Sequence, residues 1–175
     1  MTASIQIQDN GQTINIAFAD ILQYHGGLLP GGVAHAFQAM RAAFAALGEQ
    51  PLQRREIQVR TAFGGAGGRD AVEYVTRAFS DGRAVQDPSI GTPDLFAQLP
   101  GPYAWHFSYQ GRTAKATITE GWVRPEFIEL GKKADKTPED MERIVYLRQE
   151  MADRLLAAEP GAIYRVEVVD AVLAA

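Results

Sequence analysis

The sequence predicts an α+β domain in which a mostly antiparallel sheet with two hairpins is packed by three helices. Two stretches of apolar–polar alternation each break at a two-residue turn, at Asn10-Gly11 and at Gln110-Gly111. Three other stretches carry apolar residues at helical spacing. The elements interleave as ββ, α, β, α, ββ, α, β, which mixes hairpins with helices instead of repeating the βαβ unit of a doubly wound sheet.

The first eighteen residues read as the first hairpin. Ile5 and Ile7 alternate with polar residues before the turn, and Ile14, Ile16 and Phe18 resume the alternation after it. Residues 25–32, His25-Gly26-Gly27-Leu28-Leu29-Pro30-Gly31-Gly32, hold four glycines and a proline and predict a tight turn. A helix follows, with Val33, Phe37, Met40, Phe44 and Leu47 on one face and Gly48 placed to end it. The alternating run Ile57–Phe63 reads as a strand. It leads through Gly64-Gly65-Ala66-Gly67-Gly68-Arg69 to a second helix from about Ala71 to Ser80, with Asp70 as N-cap and Glu73 completing a capping box. Four prolines in residues 87–103 predict an irregular loop.

The second hairpin spans Tyr103–Ile118, with Trp105, Phe107 and Tyr109 on one face and His106 and Ser108 on the other. Thr137-Pro138-Glu139-Asp140 is an N-cap, a first-position proline and two acids, the signature of a third helix. Met141, Ile144, Val145, Arg148, Met151 and Leu155 form its face. Pro160-Gly161 ends it, and Ile163–Val169 is a last strand.

Composition bounds the function classes. With 175 residues, one domain over 1–175 is expected, large enough to bury a core without covalent staples. The absence of cysteine excludes disulfides, thiolate metal sites and a cysteine nucleophile. Seventeen basic against twenty-one acidic residues give a net charge of −4, with no electrostatic case for nucleic acid or an anionic membrane as partner. Met1–Gln6 has neither the basic nor the apolar region of a leader, and no window approaches the ~20 apolar residues of a membrane span. A cytoplasmic protein is therefore expected.

Two constellations stand out. The strand–loop–helix from Phe63 to Asp70 reads either as a turn that lets a helix start close to the sheet, or as a backbone cradle for a small ligand. It lacks the Gly-Lys-Ser/Thr of a phosphate loop, and the sixth position of Gly65-Ala66-Gly67-Gly68-Arg69-Asp70 is an acid that would repel phosphate. Arg69 is either solvated or placed to complement a carboxylate there. In the second constellation, the His25 turn joins a histidine to a flexible backbone just before a helix. A metal site would need His25, His35 and His106 to converge, and no HxH or HExxH spacing supports that, so no metal is expected. His35, in the first turn of its helix, reads as solvent-facing or capping; His106 reads as buried or on the wet face of its hairpin. No Gly-x-Ser-x-Gly nucleophile motif is present. The stripe Trp105, Phe107, Tyr109 is either core or a stacking platform. The apolar face of the third helix packs on the core or closes a homodimer.

Tyr24-His25-Gly26-Gly27-Leu28-Leu29-Pro30-Gly31 and the Ala-rich helix after it resemble the opening signature of the formylmethanofuran dehydrogenase E-like family, His-Gly-His-x-Cys-Pro-Gly before a helix. Gly67-Gly68-Arg69-Asp70-Ala71-Val72-Glu73-Tyr74-Val75-Thr76 resembles that family's Cys-Gly-x-Asp-Ala-hydrophobic-Gln block. The likeness covers roughly residues 18–170. It implies metal ligands at the histidines and cysteines of both blocks. Carried over, these fall on His25, Gly27, Leu29 and Gly67, so one ligand type of four remains and the implied metal site is degenerate. The E-type component does not carry the molybdenum or tungsten chemistry of its complex, so the likeness implies no dehydrogenase activity. The combined expectation is a stand-alone, homodimeric chain of this E-like family. It would bind a small ligand at His25, Gly26, Gly27, Gly67, Gly68 and Asp70, with the ligand's identity open. The alternatives are a metal-dependent enzyme using His25 with His35, His106 or nearby carboxylates, and an accessory protein with a vestigial site.

Overall fold

The computed structural model describes residues 3–49, 51–91 and 103–170. The fold is α+β, with both expected hairpins, but its strands divide between two mixed sheets and six helices pack on them among the described residues. Strands β1 (Ser4–Asp9) and β2 (Gln12–Ala17) form the first hairpin, with Ile5 opposite Ile16 and Ile7 opposite Ile14. Asn10 and Gly11 both take positive φ, as a two-residue primed turn requires. Ile5, Ile7 and Ile16 are buried, whereas Ile14, on the edge strand, is exposed.

Phe18 does not extend the hairpin. It opens a helix absent from the expected element order, α1 (Phe18–His25), whose start is fixed by the Ala17 amide donating to the Asp20 carboxylate at 2.8 Å. The alternation Ile14, Ile16, Phe18 runs across the strand–helix boundary, which hides the change of period. Helix α2 (Pro30–Leu47) starts three residues before Val33, with Pro30 in its first turn, so Gly31 and Gly32 are helical. Leu52–Gln53 (β3) pairs parallel to β1 and completes a sheet of order β2-β1-β3.

The second sheet has order β5-β4-β6-β7-β8. Its members are β4 (Gln58–Thr61), β5 (Ala84–Gln86), β6 (Ala104–Tyr109), β7 (Arg112–Ile118) and β8 (Tyr164–Asp170). Only β4 and β5 run parallel. Between β4 and β5 lies α3 (Ala66–Thr76), which starts five residues before Ala71 with Gly65 as N-cap. Asp70 is therefore inside the helix and caps nothing. Glu73 serves the opposite end, where its carboxylate accepts from the Phe79 and Ser80 amides at 3.0 and 3.1 Å. The expected loop holds a 3-10 turn at Pro88–Ile90; the rest, residues 92–102, lies outside the described residues.

Helices α4 (Pro125–Lys132), α5 (Pro138–Ala157) and α6 (Pro160–Ile163) precede β8. Thr137 and Asp140 form the capping box of α5. Helix α2 occupies the centre, packed against β6, β7, β8 and against α1, α3 and α5. Its alanines Ala34, Ala36, Ala39 and Ala43 are fully buried and let the backbone approach its neighbours. Trp105 and Phe107 are fully buried too, so the aromatic stripe is core. The Phe44 and Phe107 rings meet edge to face at 5.4 Å. Burying each of these large side chains contributes about 2–3 kcal/mol. No helix among the described residues is long and apolar enough to cross a membrane.

Candidate functional site

His25 is the last residue of α1. The helix ends because Gly26 takes the left-handed conformation (φ 82°), its amide bonding to Gln23 O and the Gly27 amide to Leu22 O. That stop turns His25 against α3, where its Nδ1–H donates to Asp70 Oδ2 at 2.7 Å. The imidazole is nearly covered, and its Nε2 is buried without a hydrogen-bond partner among the described residues. Tyr24 and Tyr74, from the same two helices, meet at a tilt with ring centroids 5.2 Å apart. The two glycine-rich segments are thus joined by a histidine–carboxylate bond. Arg69 turns elsewhere, its guanidinium 4.4 Å from the centre of the Phe79 ring.

His35 neither faces solvent nor caps α2: it is fully buried. The reason is that α2 is apolar almost all round, so a lone polar residue in its first turns goes into the core with the rest. His35 Nδ1 bonds the Tyr164 hydroxyl at 2.8 Å, and its ring lies 4.5 Å from Tyr103. Burial, assisted by the positive charge of Arg154, pushes its pKa down to about 3, so the imidazole is neutral. Its Nε2 has no partner among the described residues. Burial pushes Tyr103 up to about 12 and raises Tyr164 as well.

His106 lies on β6, between Arg60 of β4 and Lys115 of β7 in register, on the outer face of the five-stranded sheet. Partial burial, then Lys115 and Arg60, lower its pKa. A groove of about 700 Å³ runs over this face, lined by Arg60, His106, Ser108, Thr113 and Lys115 among others. Its polar groups belong to a solvated sheet surface. The three histidines therefore sit in three different settings, and no group of three His, Cys, Asp or Glu side chains gathers among the described residues.

A smaller cavity, of about 150 Å³, lies between the two glycine-rich segments. From the start of α2 come Leu29, Gly31, Gly32 and His35; from the β4–α3 connection come Phe63, Gly65 and Gly67. Tyr103 and Phe127 add aromatic wall, and α5 contributes Met151 and Arg148. Arg148 makes no ion pair or hydrogen bond among the described residues, and its helix offers no acid at the adjacent positions 144, 145, 151 or 152.

Of the six residues expected to bind a ligand, Gly67 lines this cavity. Gly26 and Gly27 form the exposed cap of α1, His25 and Asp70 bond to each other, and Gly68 packs beneath Phe63 and Trp105. The other lining residues lie outside the expected set; the polar ones among them are His35, named from the sequence only as an alternative metal ligand, Tyr103 and Arg148. Two of them carried a signal: His35 is a polar residue in an apolar helix, and Arg148 falls on the apolar face of α5 beside Leu147 and Met151.

The metal implied by the formylmethanofuran dehydrogenase E-like resemblance does not fit this site. Gly27, Leu29 and Gly67 offer no side-chain donor. At Gly67 the backbone leaves no room for one: a Cβ there would lie 2.9 Å from Leu29 O and 3.0 Å from Val33 N. Glycine at this point lets the starts of α2 and α3 touch. Compared with known protein families and with curated proteins, the chain matches none.

Proposed function

We propose that this chain binds a small organic ligand in the 150 Å³ cavity between the starts of α2 and α3, as a stand-alone protein of the E-like layout. The observation that carries the reading is a buried imidazole on the cavity wall, His35, whose Nε2 has no partner among the described residues. An unsatisfied polar atom in a tight core is costly, and a ligand that supplies its hydrogen bond removes that cost on binding. The size suits the purpose: an apolar cavity of about 150 Å³ accepts a molecule as large as benzene. Mostly apolar walls with a few convergent polar groups are the usual composition of a small-molecule site.

A fragment screen by ligand-observed NMR, with thermal shift as second readout, tests this. Hits are expected to raise the melting temperature of the parent chain and to be lost from Gly32→Leu, which adds a bulky side chain at a residue that lines the cavity. Hits that bind Gly32→Leu as well as the parent, or a screen without hits, would overturn the reading. The rivals are separated by other measurements. A metal-dependent enzyme working through His25 predicts about one metal equivalent in protein purified without a histidine tag. An accessory protein predicts a stable protein complex and no small-molecule hits.

The homodimer belongs to the same proposal. Met141, Val145 and Tyr146 are exposed on α5, opposite the buried Ile144, Leu147 and Met151. Sedimentation of the parent and of Val145→Glu tests it, with a monomeric parent as the refuting result. A cytoplasmic location is part of the proposal too.

A further inference from the structure

The cavity is asymmetric in charge. Among its lining residues, Arg148 is a cation without a counter-ion among the described residues, and none is acidic. A positively charged ligand would meet repulsion there, whereas a neutral one would leave Arg148 as it is.

The helix ends add to this. Helices α2 and α3, of 18 and 11 residues, both begin at the cavity, which is lined by Gly31 and Gly32 from the first and Gly65 and Gly67 from the second. An α-helix start exposes amide N–H groups without intrahelical partners and carries about half a positive charge. Most helices offset this with a capping side chain or an acid in the first turn. Here neither N-cap, Leu29 or Gly65, supplies a side-chain bond, and neither first turn contains an acid. Glycine lets the two helix starts pack against each other, so that residues from both line one cavity. The fully buried His35 is independent of both helix ends, and its neutral ring leaves Nε2 for one more hydrogen bond.

We propose that the ligand is a small organic carboxylate with a compact apolar or aromatic body, whose carboxylate takes Arg148 and the uncapped amides of α2 and α3 while the body lies against Phe63, Phe127 and Met151. This assignment rests on the small-ligand reading of the same cavity and specifies its chemistry. Carboxylate suits the site better than inorganic phosphate because the walls are mostly apolar, so the ligand needs an apolar part to fill them. His35 Nε2 recognises a polar atom on that body, which favours a hydroxyl- or carbonyl-bearing acid.

The probes are sodium benzoate, neutral benzamide, cationic benzylammonium and inorganic phosphate, titrated into the full chain by calorimetry and by ¹⁵N NMR. Benzoate is expected to bind about tenfold more tightly than benzamide, the usual advantage of a charge-assisted contact. Benzylammonium and phosphate are expected to be weaker still. The Gly31, Gly32 and Gly67 amide resonances should shift with benzoate. Arg148→Met, which keeps the aliphatic stem, should erase the preference for benzoate over benzamide; Arg148→Lys should keep part of it. If benzamide binds as well as benzoate, or if Arg148→Met retains the preference, the carboxylate assignment falls and the small-ligand reading stands. Tighter binding of phosphate than of benzoate overturns the assignment too, and so does binding of none of the four. In that last case the fragment screen alone decides the broader reading. If Arg148→Met fails to fold, the benzoate-to-benzamide ratio and the glycine shifts of the parent chain decide.

Discussion

The two glycine-rich segments look alike as strings and work by different physics. In the first, ahead of α2, Gly26 and Gly27 have φ of 82° and 79°, and a Cβ on either would meet nothing within 4 Å. They are there for backbone conformation: α1 has to stop so that α2 can start in a new direction. In the second, at the start of α3, Gly67 and Gly68 are ordinary helical residues with no space around them. A Cβ on Gly68 would lie 2.5 Å from the Phe63 ring and 2.7 Å from Trp105. They are there for volume. The difference matters for the site because the cavity exists where the second kind of glycine brings two helix starts together.

The largest expected effect tests the volume argument. Gly67→Ala drives a methyl into Leu29 O and Val33 N, both backbone, and should destabilise by about 3 kcal/mol. Chemical denaturation measures it; a loss under about 1 kcal/mol would mean that the helices separate easily. A substitution at this position is accordingly a poor probe of ligand binding alone, since it strikes the fold first.

The second prediction concerns His35, five residues into α2 beyond the first glycine-rich turn. Its folded-state pKa, about 3, lies below the 6.5 of an exposed imidazole. As pH falls, the unfolded chain takes up the proton first. The stability due to neutral His35 is therefore whole above about pH 6.5 and drains below it toward pH 3, at up to ~1.4 kcal/mol per pH unit. Between pH 6.5 and 5 the loss should approach about 2 kcal/mol. Tyr103 and Tyr164, which pack against the ring, are both raised by burial and stay neutral over that range. Denaturation midpoints at a series of pH values should show this slope in the parent and a shallower one in His35→Gln. Equal slopes would place the acid sensitivity elsewhere.

Gly26→Ala forces an alanine into the left-handed region and should cost about 1 kcal/mol while leaving the cavity intact. The smallest effect is expected from Gly32→Ala. Its Cβ would sit at ordinary contact, 3.5 Å from Gly68 N, and alanine favours the helix, so stability should stay within about 0.5 kcal/mol of the parent or rise. A reversed order between Gly26→Ala and Gly67→Ala, seen in melting temperatures, would undo the distinction between conformational and volume glycines.

The same contrast explains what is legible in the chain and what is not. The hairpins, α2 and α5 announce themselves locally, through Asn10-Gly11, Gln110-Gly111, the Val33–Leu47 spacing and the Thr137 cap. Helix α1 stays hidden because Phe18 satisfies two periods at once, and the true start of α3 is masked because Gly67 and Gly68 read as loop. The division into two sheets turns on β3, two residues that pair in parallel with a distant strand. For the site, glycine content marks both sides of the cavity. Residues brought there only by tertiary packing, His35, Tyr103 and Arg148, have no local pattern that ties them together. His25 and Asp70 do meet, but as a bond between helices and not as cavity wall.

Beyond the Arg41 bond to the Gln38 side-chain carbonyl within the helix, the buried polar side chains of α2 find partners far along the chain. Gln38 donates to Leu155 O and Ala158 O, and His35 bonds Tyr164, 129 residues away. A nascent chain that has not yet delivered residues 155–164 holds a central helix in which His35 Nδ1 and the Gln38 amide nitrogen lack these partners and a sheet that lacks β8. Contacts of such long sequence separation close late and slow folding. During synthesis the core is expected to stay open until residues 155–164 have left the ribosome, and a chain cut before Tyr164 should be a substrate for proteases and not a smaller version of this protein.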